Sequence, residues 1–268
     1  MTSERVHPYL QGAANPRVIA HRGLVNAELA AAGIAENTRA AFEAATNAGA
    51  DILETDCHLT RDGTVVLAHD PDLTRVAGDP RKIAEVDRAE LERAFAERGG
   101  LLTLERALEE FPEARWNIDV KAAAVAAPLG RIVAPHAHRV LVTSFSERWR
   151  RSALGAAREA GCAILPATSP GRGALIRLLL GLATERAAGS RRGVARALQG
   201  LDALQIPERH GRIRVLTPRL VEAAHAHGVE VHVWTVNDPG RMRELVAMGV
   251  DGVVTDRTDV AIAALSRG

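Results

Sequence analysis

Aromatic residues are scarce in this chain, with four Phe, three Trp and one Tyr among 268 residues, so aliphatic side chains and alanine must build the core. Cysteine is scarcer still: Cys57 and Cys162 make no disulfide framework. No run of about 18 apolar residues occurs, so no transmembrane helix is expected. The first residues, MTSERVHPYLQGAANPRV, carry no apolar stretch of the secretory kind, and a cytoplasmic location is the expectation. The formal net charge is only +1, which points to no nucleic-acid partner. No Gly-x-Gly-x-x-Gly follows the first apolar run, which weighs against an open dinucleotide-binding sheet.

What the chain does contain is alternation. Short β-type runs fall at 17–21, 51–57, 116–121, 139–143, 162–165, 202–206, 230–235 and 251–255. Between them lie stretches of helical spacing, among them 38–48, 103–110, 217–227 and 238–248. Gly49, Gly228 and Gly249 follow three of these stretches, in the place of a glycine that ends a helix. Thr217-Pro218 and Asp238-Pro239 have the order of an N-cap followed by a first-turn proline. Eight strands alternating with helices predict one domain spanning 1–268, a closed (β/α)8 TIM barrel of the α/β class. Two stretches, 70–102 and 166–201, exceed what a plain barrel needs.

Sites in such barrels form at the C-terminal ends of the strands. There the sequence places His21 and Arg22, then Glu54 and Asp56, then Asp119 and Lys121, then Trp234 with Asn237 beyond it. Strand alternation puts Glu54 and Asp56 on one face, and Asp119 and Lys121 on one face. Three carboxylates converging on one mouth repel one another unless a cation intervenes. Their all-oxygen character suits Mg²⁺ or Ca²⁺, with Mn²⁺ as a further candidate, rather than zinc. The segment RDGTVVLAHD adds an Asp62-Gly63 turn between β-type residues, which predicts a β-hairpin after strand two. That hairpin would bring His69 to the mouth opposite His21. Two histidines supply a general base and a general acid near neutral pH, while Arg22 and Lys121 suit an anion. The competing reading is a salt-bridge network of Glu54, Asp56, Arg22 and Lys121 without a metal.

The ordered motifs VIAHRG, ENTRAAF, ETDCHLTRDGTVVLAHD, LTLERAL, NIDVK, VHVWTVND and GVDGVVTDR strongly resemble the glycerophosphodiester phosphodiesterase family, from about residue 17 onward. The resemblance implies a metal-dependent phosphodiesterase that yields sn-glycerol 3-phosphate and an alcohol. It implies His21 and His69 as the catalytic pair and Glu54, Asp56 and Asp119 as metal ligands. The family more often has Glu at the position of Asp119. Arg22 and Lys121 match phosphate-contacting cations, and Glu36 and Asn37 match a Glu-Asn-Thr motif and are placed with them as substrate- or phosphate-binding residues, Glu36 serving as ligand or helix start. Trp234 becomes a wall of the substrate site. The family's mechanism is attack by the glycerol 2-hydroxyl on phosphorus, then opening of the cyclic phosphate by water. The spacer from Gly23 to Glu36 is longer than usual and is expected to reshape the pocket.

The remaining residues read as structural. His58 and His232 are assigned to packing, and Cys57 to the core. His7, His136, His138, His210, His225 and His227 read as surface or loop residues. Asp70 has no firm role beyond orienting His69 or ending the hairpin. The segment 172–197, with Arg172, Arg177, Arg186, Arg191, Arg192 and Arg196 around ALIRLLLGLA, has two readings. One is an ordinary amphipathic barrel helix with a solvated basic loop. The other is an interfacial lid that contacts an anionic lipid surface. Two rival activities accompany the main one: a lysophospholipase D-type phosphodiesterase, and a catalytically silent anion-binding barrel. An amidohydrolase-type barrel fits less well, because its first strand would carry His-x-His where this chain has His21-Arg22-Gly23.

Overall fold

Helix starts and stops follow the local chemistry of the sequence. Thr38, Thr103, Thr217 and Asp238 each accept a hydrogen bond from the backbone N–H three residues on, satisfying a donor that the first turn leaves free. Pro218 and Pro239 occupy first-turn positions, where no donor is needed. Gly249, at φ +96°, ends the helix Pro239–Ala247 and turns the chain into the last strand.

The computed structural model describes residues 6–188 and 192–265, with 186–188 described by backbone alone. The strands in chain order are β1 Arg17–His21, β2 Ile52–Leu59, β3 Val65–Leu67, β4 Asp72–Leu73, β5 Asp79–Lys82, β6 Arg115–Val120 and β7 Val140–Thr143. They continue with β8 Ala167–Thr168, β9 Ala203–Pro207, β10 Arg209–His210, β11 Ile213–Arg214, β12 Glu230–Trp234 and β13 Gly252–Thr255. Eight of them run parallel in the order β8-β7-β6-β2-β1-β13-β12-β9. The remaining seam, between β8 and β9, is bridged by other bonds. Asp202 N donates to Thr168 O at 2.9 Å, and Thr168 N to Asp202 Oδ2 at 2.8 Å. Gln205 N donates to Ser169 Oγ at 3.0 Å. With helices around this cylinder, the fold is the expected (β/α)8 barrel.

Seven of the expected strands lie within two residues of their observed limits. The fifth does not: residues 162–165 form no strand, and β8 is the short pair Ala167–Thr168 instead. Cys162 and Ile164 are only half-buried, whereas 166–169 are buried in the barrel wall. The small residues Ala167, Thr168 and Ser169 fill that wall without an apolar β-pattern. The hairpin after strand two is present, with β2 and β3 antiparallel and Cys57, His58 and Leu59 opposite Leu67, Val66 and Val65. Thr60 closes its turn by accepting from Thr64 N at 2.9 Å. The long stretch after the hairpin folds into the β4–β5 ribbon and short helices over a satellite core of Val66, Leu73, Ile83, Val86, Leu91, Phe95 and Leu101.

The scarce aromatics are concentrated. Phe42, Phe111 and Trp116 meet edge to face outside the barrel wall, with centroids 5.0 Å apart for Phe42–Trp116 and 6.0 Å for Phe111–Trp116. The single tyrosine, Tyr9, is fully buried with Leu10, against Ile19, Ile52, Leu141, Ala203 and Val254. Together they plug the end of the barrel where the strands begin. His7 is a half-buried loop residue: Nδ1 caps the turn Pro8–Leu10, and Nε2 bonds Leu165 O at 2.9 Å. His232 is fully buried, as its position in the strand implied.

A charged network also lies at that end. Arg17 Nε and Nη2 each donate to the Glu230 carboxylate at 2.6 Å, and His232 Nε2 lies 3.0 Å from it. Burial alone would raise the Glu230 pKa, but the bonds from Arg17 and His232 outweigh it and hold the group at about 2 against an ordinary 4.5. A depressed carboxylate stabilises the fold above its unfolded pKa, and that stability is lost as pH falls from about 4.5 towards 2. Glu230→Gln leaves Arg17 buried without its counter-charge. It is expected to lower the urea unfolding free energy by about 3–5 kcal/mol at neutral pH. The deficit relative to wild type should shrink when both are measured near pH 3.

Candidate active site

Strand register builds the site. Across β1, β2 and β6, His21 pairs with Glu54 and Glu54 with Asn117. One step further along, Asp56 pairs with Asp119, and Asp119 with Thr143 of β7. These side chains point into the barrel and line a cavity of about 600 Å³ at the strands' C-terminal ends, together with Arg22, His69, Lys121 and Trp234. A second cleft, of about 250 Å³, lies at the opposite end beside Asn15, Asp51 and Ile262 and contains no such cluster.

Two cations neutralise the carboxylates. Lys121 Nζ bridges Asp56 Oδ1 at 2.8 Å and Asp119 Oδ2 at 2.7 Å. Burial opposes its charge, but Asp56 and Asp119 prevail and hold the ammonium above its ordinary range. Arg22 Nε lies 3.1 Å from Asp56 Oδ2 as an ion pair without hydrogen-bond geometry, and Nη1 donates to Glu36 Oε1 at 3.0 Å. The Arg22 backbone N–H reaches Glu54 Oε2 at 3.0 Å. That approach depends on the backbone: Arg22 and Asn37 both sit in the left-handed region, at φ +59° and +58°, and Asn37 N bonds Arg22 O at 2.9 Å. Such conformations cost on the order of 1–3 kcal/mol each and persist where surrounding structure enforces them. Gly23 follows at φ +88°, and a Cβ there would stand 2.7 Å from the Ala41 carbonyl carbon.

The positive charge does not fully match the negative. Burial, then repulsion from Asp56, pushes Glu54 up to about 8. Burial also raises Asp119 in spite of Lys121. Asp119 Oδ1 and Asn117 Oδ1 are buried with no hydrogen-bond partner. The site therefore holds oxygen donors in excess of its own cations.

Each histidine is held by an aspartate. His21 Nδ1 lies 2.6 Å from Asp256 Oδ1, and Asn237 Nδ2 steadies the other oxygen at 2.8 Å. Burial would lower the His21 pKa, but the bond the ring donates to Asp256 and the charge of Glu54 raise it overall. The His21 bond holds Asp256 below the usual carboxylate range. His69 Nδ1 lies 2.7 Å from Asp70 Oδ1, and Arg75 Nε donates to Asp70 Oδ2 at 2.6 Å. Burial opposes ionisation of Asp70, but His69 and Arg75 together depress its pKa. With both Nδ1 atoms engaged by carboxylates, Nε2 is the nitrogen left for proton transfer on each ring.

The hairpin delivers His69 as its sequence implied. Ala68 N bonds Asp56 O at 2.9 Å, fixing the returning strand beside the carboxylate end of β2. His58 lies 3.2 Å from the His69 carbonyl through Nε2, and burial lowers its pKa, in keeping with a structural role. Trp234 lines the cavity and meets Phe145 edge to face, with centroids 5.9 Å apart. Glu36 and Asn37 do not line it. Glu36 ties Arg22 to Arg75, the latter at 2.7 Å, while Asn37 accepts from Thr55 Oγ1 at 2.7 Å beneath Asp56. The spacer 24–35 contributes no residue to the cavity, contrary to expectation: Ala35 N bonds Arg98 O at 2.8 Å and the segment packs to one side.

Sequence reasoning overlooked Asp256, Asn117, Phe145 and Arg75. Asp256 and Phe145 each follow the C-terminal end of a barrel strand, β13 and β7, and that position was the available signal. Arg75 lies in the inserted stretch, where no periodicity marks it.

Among the described residues, no three His, Cys, Asp or Glu side chains are grouped closely enough to hold a metal ion as they stand. Lys121 occupies the space between Asp56 and Asp119. The donor chemistry nonetheless fits a hard divalent cation: three buried carboxylates, one with its pKa pushed up to about 8, and an unpartnered Asp119 oxygen.

Two histidine–aspartate pairs and a carboxylate and cation cluster thus meet at the open end of a parallel barrel. The profile of the glycerophosphoryl diester phosphodiesterase family matches residues 21–260, and the chain belongs to that family. The Mycobacterium tuberculosis protein called "Probable glycerophosphodiester phosphodiesterase 2" is 38% identical over 245 residues, covering 90% of this chain and 88% of that protein. A lysophospholipase D of Rattus norvegicus is 36% identical over 119 residues, only 39% of this chain and 36% of that one. Among solved structures, the glycerophosphodiester phosphodiesterase of Thermotoga maritima superposes with a TM-score of 0.66 at 25% identity, covering 93% of this chain and 97% of its own. An Oleispira antarctica phosphodiesterase, solved with its product sn-glycerol-3-phosphate, shares the fold at TM-score 0.68 and 21% identity, covering 94% and 97%.

Lys121→Met tests the electrostatic account of the site. It leaves Asp56 and Asp119 facing each other in a buried position. The expected result is a loss of about 3–5 kcal/mol of unfolding free energy in chelator-treated protein at neutral pH, measured by urea titration.

Proposed function

We propose that this chain hydrolyses glycerophosphodiesters to sn-glycerol 3-phosphate and an alcohol, with a divalent metal ion and a two-histidine acid–base mechanism. The observation that carries this reading is the pair of carboxylate-oriented histidines flanking one cavity, with Arg22 and Lys121 between them. Family membership and the 38% identical mycobacterial relative support the substrate class.

Glu54, Asp56 and Asp119 would hold the metal, with Mg²⁺ or Ca²⁺ favoured by an oxygen donor set and Mn²⁺ compatible with it. When bound, the ion supplies positive charge to the phosphodiester and makes a coordinated hydroxyl more acidic. The rest falls to this chain's own side chains. The Arg22 guanidinium and the Lys121 ammonium bind phosphoryl oxygens and offset the charge that develops on them. Nε2 of one histidine accepts the proton of the glycerol 2-hydroxyl as that oxygen bonds to phosphorus. Nε2 of the other donates a proton to the departing alcohol oxygen as its bond to phosphorus breaks. In the second half the roles reverse: a water loses a proton to the second histidine, and the first returns one to the 2-oxygen as the ring opens. Asp256 and Asp70 keep each imidazole in the tautomer this exchange needs. Trp234 and Phe145 form an aromatic wall of the cavity.

Two measurements test the proposal. His21→Ala and His69→Ala should each lower kcat for glycerophosphocholine by about 10²–10⁴, and a loss of only a few-fold in both variants would overturn the two-histidine scheme. Chelation should abolish turnover, and Mg²⁺, Ca²⁺ or Mn²⁺ should restore it. The same ions should raise the Tm of chelated wild type more than that of Glu54→Gln. Turnover of lysophosphatidylcholine without turnover of glycerophosphocholine would transfer the assignment to the lysophospholipase D type.

A further inference from the structure

Exposed apolar side chains are not scattered over this protein. Of the five large ones exposed among the described residues, Phe145, Ile176 and Ile213 line the mouth of the catalytic cavity. A fourth, Leu180, stands one turn beyond Ile176 on the helix Arg172–Ala188. Ile176, Leu180 and Ile213 are 57%, 61% and 61% exposed. The helix is apolar on two faces. Leu178 and Leu182 pack inward against Val194 and Leu198, which satisfies its role as a barrel helix, yet Ile176 and Leu180 face water. Beside it, the β10–β11 ribbon, with Arg209 opposite Arg214 and His210 opposite Ile213, carries Ile213 at its exposed edge.

The exposed charge nearest these side chains is arginine, while the acidic residues close by, Glu147, Glu185 and Glu208, are held by Arg150, Arg219 and Arg241. Arg172 and Arg177 on the helix, and Arg209, Arg212 and Arg214 on the ribbon, are all exposed. Among the described residues none of the five has an acidic partner: Arg209 and Arg214 bond only carbonyl oxygens, and Arg172 stacks on the Phe145 ring at 4.7 Å. Elsewhere on the surface Arg61, Arg75, Arg81, Arg88 and Arg106 form ion pairs with carboxylates, whereas, among the described residues, Arg93, Arg131, Arg148, Arg158 and Arg243 are exposed outside such pairs; the rim differs in setting its arginines around exposed aliphatic side chains. Arg191 lies outside the described residues, as does the Arg186 side chain.

We propose that this rim, the first half of the helix and the β10–β11 ribbon, docks the open end of the barrel onto an anionic lipid surface. Aliphatic tips surrounded by unpaired guanidinium groups match the acyl boundary and the phosphate layer of such a surface. A second copy of the chain is disfavoured as the occupant. A two-fold contact would place five uncompensated arginines against the same five. The docking goes beyond the phosphodiesterase reading and needs no turnover to be measured.

The experiment is co-sedimentation of the full chain with phosphatidylglycerol–phosphatidylcholine vesicles and with phosphatidylcholine vesicles, at low and high salt. The expected result is binding to the anionic vesicles that weakens with salt. Arg177→Glu and Arg212→Glu should each weaken it by at least about fivefold, the effect of one basic residue near a charged surface, and Leu180→Asp should weaken it also. None of these three residues lines the cavity, so turnover of a water-soluble glycerophosphodiester should be unchanged. Absence of binding to anionic vesicles at low salt would overturn the docking, as would binding indifferent to all three substitutions. A dimer in sedimentation velocity that Leu180→Asp dissolves would assign the face to a second copy instead. Vesicle binding by a protein that turns over no phosphodiester would leave the docking in place and remove the catalytic reading.

Discussion

The pairing of Asp56 with Asp119 across β2 and β6 is the constraint from which the site follows. Two inward carboxylates at one level of a barrel cannot both stay ionised without positive charge between them. Lys121 supplies it from the end of β6, and Arg22 supplies more from the end of β1. Arg22 in turn requires Glu36, Glu36 receives Arg75, Arg75 binds Asp70, and Asp70 orients His69. His69, at the end of the hairpin, is thus the far end of a chain of alternating charges that starts from one strand register. The left-handed backbone at Arg22 and Asn37 is where this chain turns the corner between strand and loop.

The two ends of the barrel use charge differently. At the closed end Arg17, Glu230 and His232 satisfy one another beside the Tyr9 plug, and the carboxylate there is strongly acidic. At the open end Glu54 is pushed towards neutrality and Asp119 keeps an unpartnered oxygen. A completed ion network stabilises a fold, whereas an uncompensated one is a site that a ligand's charge can complete. Between the two lies an apolar layer that includes Ile19, Ile52, Leu141 and Val254.

Much of this was legible in the residues, for stated reasons. Strand alternation and the Asp-Gly turn placed His21, Glu54, Asp56, His69, Asp119, Lys121 and Trp234 around one mouth, because inward parity and a two-stranded hairpin leave few alternatives. The fifth strand was misplaced because Cys162–Leu165 has the apolar composition of a strand, while Ala167-Thr168-Ser169 does not. Small residues serve where the barrel wall is fully packed, and they carry no pattern. Glu36 and Asn37 were assigned to the substrate. Their partners, Arg22, Arg75, Thr55 and Asp56, come from three separate segments, and sequence spacing does not reveal such convergence. Asp256 was missed for the same reason: it lies 235 residues from the histidine it holds.

That separation has a consequence in time. β13 closes the barrel against β1, and Asp256 reaches His21 only when it does so. At ribosomal rates of about 5–20 residues per second, on the order of ten to fifty seconds pass between synthesis of the two. During that interval Glu54, Asp56, His69 and Asp119 are all added, and the aspartate that orients the first ring comes after every one of them. The last strand to be made is thus the one that completes the His21–Asp256 pair.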